Sequence, residues 1–299
     1  MTEHSPVVVH RQKWFDAGTS GLRIAFKVIS PFFVCVLLML VGGAVYEWFD
    51  LIIPMWTNFM SPAYCLFTSI GLFLGINVLW HYSMCVLVSP GLAPFADHLD
   101  CEAEDYHYCK QCKRPTPEET QHCFICGECV YDLDHHCPWI MNCVGRNNHK
   151  HFFLFLFYVT LSCIYYCFFS IPPFYTVTYK HRHFSKTQPK QYDHGMLSLS
   201  AILPMTLSIA VGGMMLWHAY LLATCQTSPE FAHNFFKKYQ AYKRGSSWTH
   251  EKDQGFVKNW KVRFGLERSS LWWILWAFPF LYKPTSGGHA YSAVRHHDV

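Results

Sequence analysis

Between Cys109 and Phe152 the chain sets seven cysteines and a run of histidines at spacings that suit a tetrahedral metal ion. The order is Cys109-x2-Cys112, nine residues, His122-Cys123-x2-Cys126-x2-Cys129, four residues, Asp134-His135-His136-Cys137, then five residues and Cys143. Zinc takes Cys and His in fours, and each Cys-x2-Cys pair delivers two thiolates from one tight turn, so the count points to two structural zinc sites. Disulfides are the weaker reading for a loop that faces a reducing cytosol. Cys35, Cys65, Cys85, Cys163, Cys167 and Cys225 fall in or at the ends of apolar runs, where cysteine serves as a small hydrophobe. Cys101 has no partner at ligand spacing.

The run Asp134-His135-His136-Cys137 also puts a thiol beside a base. A cysteine becomes a nucleophile when a neighbouring histidine takes its proton, and a carboxylate can orient that histidine. Asp134, His135 and Cys137 supply those parts. Spacing leaves two readings open: Cys137 as a ninth potential ligand, or Cys137 as the nucleophile.

The elements around this block are of membrane length. Apolar residues make up 51% of the chain and charged residues only 15%, against ~25% charged in soluble domains. Four runs without Asp, Glu, Lys or Arg can cross a ~30 Å hydrocarbon core: Val28 to Tyr46, Ala63 to Ser89, Phe152 to Tyr179 and Leu197 to Cys225. A soluble protein would instead need four helices apolar all round. The expectation is an α-helical polytopic membrane protein with a Cys-rich zinc domain between its second and third transmembrane helices.

The order expected is an N-terminal arm (1–27), transmembrane helices 1 and 2 (28–89), the Cys-rich domain (90–151), helices 3 and 4 (152–225) and a tail (226–299). The polar, basic arm does not resemble a cleavable signal peptide, so the first run stays as an anchor. Four spans put both termini on one side. Arg11, Lys13, Arg23 and Lys27 precede the first span and no Lys or Arg follows it before Pro62, which argues for cytosolic termini and a cytosolic zinc domain. Against this, Lys180, Arg182, Lys186 and Lys190 fall in the second outer loop. The tail holds 11 of the 24 Lys and Arg, which suits an anionic leaflet and equally a solvated face. Within it, the Trp-rich segment 271–282 is too short to span and suits the membrane interface or packing onto the protein. The Cys-rich loop carries more acidic than basic residues, the wrong footprint for nucleic acid. His81 and His218, the ring bases well inside spans, read as satisfied core histidines better than as an ion path.

The stretch from Cys109 through Asn148 to Phe152 resembles the DHHC-type zinc-finger protein S-acyltransferase (palmitoyltransferase) family without a gap. The family's four membrane helices, with this domain between the second and third, match the topology read above. The resemblance implies one zinc on Cys109, Cys112, His122 and Cys129, and another on Cys123, Cys126, His136 and Cys143. It leaves Cys137 as nucleophile, with His135 and Asp134. Thr227-Ser228-Pro229-Glu230 resembles the family's Thr-Thr-x-Glu, and Ser89-Pro90-Gly91 its Asp-Pro-Gly, each departing by one residue. Gly255 to Trp260, including Asn259, resembles the C-terminal motif that packs on the family's catalytic domain.

The activity so implied is two-step acyl transfer from a fatty acyl-CoA such as palmitoyl-CoA, through an acyl-Cys137 thioester, to membrane-proximal cysteines of cytosol-facing proteins. Two structural zinc ions act as scaffold, the acyl-CoA is co-substrate, and membrane lipid surrounds the spans. Trp139 is an expected contact for the acyl carbonyl region, and Arg146 and Lys150 for CoA phosphates, although both also flank the third span as juxtamembrane charges would. The family's usual residence favours endoplasmic reticulum or Golgi over plasma membrane. The competing reading is a membrane-anchored zinc scaffold without catalysis.

Overall fold

A computed structural model of the protein describes residues 6–93, 106–180, 194–267 and 270–275. Cys101, the bases Arg182, Lys186 and Lys190 between the third and fourth spans, and residues 276–282 of the Trp-rich segment lie outside them. The chain forms two compact units, one ending at Leu216 and the other starting at Trp217.

In the first unit, helix α1 (Pro6–Glu47) continues through a π-helical turn (Trp48–Ile52) into the short α2 (Ile53–Trp56). The apolar part runs 34 residues from Arg23 to Trp56, longer at both ends than the charge-free run. Hydropathy marks where a helix is apolar, whereas its backbone bonds continue until a cap or breaker stops them. Helix α3 (Pro62–Leu87) starts cleanly: Ser61 is its N-cap, accepting from Tyr64 N at 3.1 Å, and Pro62 fills the first turn, where a missing N–H leaves no bond unmade. Helix α4 (His149–Tyr179) and helix α5 (His194–Ala223) complete four helices long and apolar enough to cross a membrane.

At ~1.5 Å per residue, even the 26 residues of α3 exceed the ~30 Å core. Apolar side chains such as Phe32, Leu66, Ile76, Phe168 and Ile209 cover the outside of these helices, as lipid requires. Some polar and bulky groups turn inward. Near the link between the first two spans, Trp48, Ile52, Ile53 and Phe169 form a buried cluster, and Trp56 Nε1 donates to Phe169 O at 2.8 Å. Along the α3–α4 seam, His81 and His151 meet Nδ1 to Nδ1 at 3.2 Å, with Tyr158 stacked on His81 at 5.6 Å. His81 is thus packed in the core and bonded at Nδ1, while its buried Nε2 has no hydrogen-bond partner among the described residues, so the expectation of a satisfied histidine is met at one nitrogen only.

Between α3 and α4 lie three antiparallel two-stranded hairpins. They are β1 (Tyr106–Cys109) with β2 (Arg114–Pro117), β3 (Thr120–Cys123) with β4 (Glu128–Tyr131), and β5 (His135–Cys137) with β6 (Asn142–Val144). Such short hairpins are marginal alone, so something must tie them together. In the second unit, α6 (Ser228–Lys243) and α7 (Phe256–Phe264) follow α5, and α8 (Trp272–Leu275) is the described part of the Trp-rich segment.

Candidate functional site

Strand register explains how the cysteines group. His122 lies directly across from Cys129 in the β3–β4 hairpin, and His136 directly across from Cys143 in the β5–β6 hairpin. Cys109 and Cys112 come from the β1–β2 turn, and Cys123 and Cys126 from the β3–β4 turn. Each hairpin tip therefore meets the cross-strand pair of the next hairpin, and two tetrads interleave. The first joins Cys109, Cys112, His122 and Cys129, the second Cys123, Cys126, His136 and Cys143, each with its donor atoms within 4.8 Å of one another.

Zinc bond lengths of ~2.3 Å to sulfur and ~2.0–2.1 Å to nitrogen give tetrahedral edges of roughly 3.6–3.8 Å. The tetrads are of that size. Sulfur to His122 Nδ1 is 3.8 Å for Cys109, 3.2 Å for Cys112 and 3.8 Å for Cys129. Sulfur to His136 Nδ1 is 3.8 Å for Cys123, 3.4 Å for Cys126 and 3.5 Å for Cys143. In each knuckle the backbone N–H three residues on reaches back: Cys112 N to Cys109 Sγ and Cys126 N to Cys123 Sγ, both 3.4 Å. Both groups could hold a metal ion, and soft thiolates with one imidazole suit zinc.

Side chains alternate along a strand, so neighbours point to opposite faces. On β3 that sends His122 and Cys123 to different tetrads. On β5 it sends His136 to the second tetrad, while His135 and Cys137, two residues apart, share the other face. There the Asp134 carboxylate accepts from His135 Nδ1 at 2.7 Å. Asp134 and Cys137 are buried, whereas the His135 ring keeps about a third of its surface, 36%. Burial alone would lower the pKa of His135, but hydrogen bonds with Asp134 and Cys137 and their negative charges outweigh it and raise the value to about 9. Phe152, at the start of α4, packs edge-on to the His135 ring at 5.3 Å. The arrangement can hold a thiol against a base whose other nitrogen is fixed by a carboxylate.

Other side chains fix where this hairpin sits. Asn142 Nδ2 donates to Cys85 O and Val88 O, each at 3.0 Å, at the end of α3, while its Oδ1 accepts from Cys143 N at 2.9 Å. Fully buried Asn148 accepts from Gly145 N at 2.9 Å and donates to Cys143 O at 2.8 Å. Tyr82 OH donates to Trp139 O at 3.0 Å. The α1 helix contributes Arg23, whose Nε donates to Phe124 O at 2.7 Å, Phe26, edge-on to His136 at 5.5 Å, and Phe33, 4.5 Å from the Trp139 ring. Composition gives no warning of Asn142, Tyr82, Arg23, Phe26 or Phe33. The signal that could have found the α1 residues is their spacing, since positions 23, 26 and 33 recur on one helical face.

The segment after α3 is an added edge. Tyr131 N donates to Gly91 O at 2.8 Å and Ala93 N to Cys129 O at 2.9 Å. Ser89 Oγ accepts from Gly91 N at 3.4 Å, so the hydroxyl supplies an acceptor where the family motif has a carboxylate. Gly91 sits at φ 98°, a conformation glycine adopts at no steric cost. Gly145 is required for closeness, because a Cβ there would lie 2.6 Å from Pro90 O and 2.7 Å from Val130 Cγ1.

The three residues expected at acyl-CoA differ in surroundings. Trp139 is exposed. Arg146 is mostly buried, bonded through Nε to Asp132 Oδ2 at 2.8 Å and through Nη2 to Glu119 Oε2 at 2.7 Å, and stacked over Tyr131 at 4.6 Å. Burial opposes its charge, but Asp132 and Glu119 raise its pKa and keep it protonated. Lys150 is buried in the first turn of α4.

In the second unit, Thr227 and Glu230 form a capping box at the start of α6: Thr227 Oγ1 accepts from Glu230 N at 3.4 Å, and Glu230 Oε2 accepts from Thr227 N at 2.9 Å. Lys252 Nζ holds the other carboxylate oxygen at 2.7 Å. Ser228 Oγ accepts from Trp217 Nε1 at 3.3 Å. Asn259 Nδ2 donates to Ala223 O at 2.7 Å, capping the end of α5, and to Asp253 Oδ1 at 2.6 Å.

Comparison with known proteins follows the same lines. A family model described as DHHC palmitoyltransferase matches residues 102–234. The chain is 30% identical to probable protein S-acyltransferase 15 of Arabidopsis thaliana, over 85% of this chain and 99% of that one. It is 28% identical to palmitoyltransferase ZDHHC16A of Danio rerio, over 84% of this chain and 75% of that one. Identity to mouse palmitoyltransferase ZDHHC16 is also 28%, over 86% and 72%.

Proposed function

The chain belongs to the DHHC palmitoyltransferase family, and from that premise we propose that it moves a fatty acyl group from acyl-CoA to protein cysteines through an acyl-Cys137 intermediate. The observation that carries the reading is one strand, β5, with two faces. His136 turns to a metal tetrad, while Cys137, the one cysteine of the seven outside both tetrads, shares the opposite face with His135, whose Nδ1 is held by Asp134.

In the first step His135 takes the Cys137 proton, and the thiolate attacks the thioester carbonyl of acyl-CoA. The bond to the CoA sulfur breaks, and the CoA thiolate leaves with the proton held by the imidazolium. In the second step His135 takes the proton of a substrate cysteine, whose sulfur attacks the acyl-Cys137 carbonyl. Cys137 then leaves as the thiolate, and the protein thioester is complete. Asp134 keeps Nδ1 engaged so that Nε2 serves the thiol throughout. Zinc, when bound by the two tetrads, supplies scaffolding only, since four protein donors leave no open position.

The four helices give the acyl chain a place to lie, and each buried CH₂ is worth about 0.8 kcal/mol. Of the side chains proposed to meet acyl-CoA, exposed Trp139 beside Cys137 has the best support. Arg146, engaged by two carboxylates, is proposed instead as a structural cation, and Lys150, in the first turn of α4, keeps the proposed role toward CoA phosphates. The basic residues before the first span support cytosolic termini and a cytosolic zinc domain. Residence in endoplasmic reticulum or Golgi is proposed by family resemblance alone.

The test is labelling of the purified protein with an alkyne-tagged fatty acyl-CoA, wild type against Cys137→Ala, with hydroxylamine treatment and zinc analysis of both. A hydroxylamine-sensitive label lost in the variant, with about two zinc ions retained in each, is the expected result. Equal labelling of both proteins, or none in a folded wild type, would instead favour the membrane-anchored zinc scaffold.

A further inference from the structure

We infer that α6 is an interfacial helix that lays an aromatic face on an anionic lipid leaflet. Of the 16 residues of α6 none is buried, yet Phe235, Phe236, Tyr239 and Tyr242 are all exposed, Tyr242 by 79%. Side chains three and four residues apart stack on one helical face, so Phe231, Phe235, Tyr239 and Tyr242 form a single stripe. Glu230, His233, Asn234 and Lys237 fall on the other side.

What covers the stripe is indicated by where it begins. Trp217 and Tyr220, in the last turns of α5, meet Phe231 edge-on at 4.9 and 5.9 Å, and Phe231 meets Phe235 at 6.3 Å. The aromatic surface is therefore continuous from the end of a membrane-length helix onto α6. Trp and Tyr at a span's end mark the headgroup level. Only Thr224 to Thr227 separate α5 from α6, so α6 starts at that depth.

The charge supports the same occupant. Lys238 and Lys243 flank the stripe on its two sides, and Lys243 Nζ lies 4.9 Å over the Tyr239 ring. Lysines at the edges of an apolar face can snorkel to lipid phosphates. A second copy of this chain is a poorer fit, because pairing two such faces about a two-fold axis brings the flanking lysines together. The inference rests on the cytosolic orientation proposed above for the leaflet it would meet in a cell, since the anionic lipids line the cytosolic side.

Hydrogen–deuterium exchange of the full chain in nanodiscs tests it independently of orientation, because both nanodisc leaflets carry the same lipid. The discs contain phosphatidylcholine alone or with about a third phosphatidylserine, at low and high salt. The α6 amides should exchange about tenfold more slowly in the anionic discs at low salt than in neutral discs, the order of change that a few lysine contacts allow. Lys238→Gln with Lys243→Gln should remove that difference. Phe235→Ser with Tyr239→Ser should speed exchange in both lipids, while α7 amides and zinc content stay unchanged as the folding control. Equal α6 exchange in the two lipids would overturn the inference. So would protection that persists in detergent and rises with protein concentration, which would assign the stripe to a second copy. Loss of acyl transfer in an unrelated assay would leave these outcomes untouched, so failure of the enzyme reading is distinguishable.

Discussion

Asn142 lies directly across the β5–β6 hairpin from Cys137, and its carboxamide hangs that hairpin from the end of α3. One NH₂ group serves carbonyls that the helix leaves without intrahelical partners, and the amide oxygen accepts from Cys143. Asn142, outside both tetrads, thus ties the height of Cys137 to a membrane helix, with Tyr82 and Asn148 as further ties.

Asn142→Ala should therefore retain about two zinc ions while slowing Cys137 acylation by about 10- to 100-fold, the effect of a small misplacement of reacting groups. Each buried bond left unmade destabilises by about 1–3 kcal/mol, so the melting temperature should fall as well. Asn142→Asp should be worse, because a carboxylate faces carbonyl oxygens. Single-turnover acylation and zinc content, measured together, decide the point. An unchanged acylation rate would show that the hairpin holds its place without Asn142.

The interleaved tetrads predict unequal consequences for the two metals. Cys143→Ser removes a donor from the hairpin that bears Cys137, so zinc should fall from about two to about one and acylation should be lost. Cys109→Ser strikes the tetrad that pins the β1–β2 tip, farther along the chain of hairpins from the nucleophile. It should also lower zinc and destabilise the loop, since structural zinc binding is worth about 10–16 kcal/mol in finger peptides. Residual acylation should survive in Cys109→Ser and not in Cys143→Ser. Identical total loss in both would mean that the hairpins fold as one unit.

The presence of two Cys/His metal sites and the four membrane-length helices were legible because each depends on local spacing, whereas which residues join which site was implied by the family resemblance. Cys-x2-Cys is a turn, and a charge-free run is a helix in lipid. The exclusion of Cys137 from the tetrads was not legible from spacing, because it follows from strand parity: His136 and Cys137 can be told apart only once β5 and its register with Cys143 are known. Arg146 looked available for phosphate because Glu119 and Asp132, its partners, lie 27 and 14 residues away in sequence. Long-range pairings of this kind leave no periodic trace.

Asp134→Asn isolates the orienting role of the carboxylate. An amide can present N–H where His135 Nδ1 needs an acceptor, which favours the wrong tautomer. Acylation should drop by about 10³-fold or more, the scale on which an orienting carboxylate matters in acyl-transfer triads. The two zinc ions of the tetrads should be retained, because Asp134 belongs to neither tetrad. A fall of less than about tenfold would reduce Asp134 to a packing residue.

Arg146 separates a structural cation from a substrate contact. Its fork spans Asp132 and Glu119 at 2.8 and 2.7 Å, and Asp132 is buried. Removing the cation with Arg146→Ala leaves that carboxylate buried without its partner, a loss on the order of 3–5 kcal/mol. Arg146→Lys keeps the charge but has one ammonium for two carboxylates on different loops, so it should recover only part of the stability. Both variants should lower the melting temperature, Ala more than Lys, while the KM for acyl-CoA of the folded fraction stays near wild type. A KM raised about tenfold at unchanged melting temperature would mean the reverse: about 1.4 kcal/mol of binding lost and Arg146 in contact with the CoA phosphates.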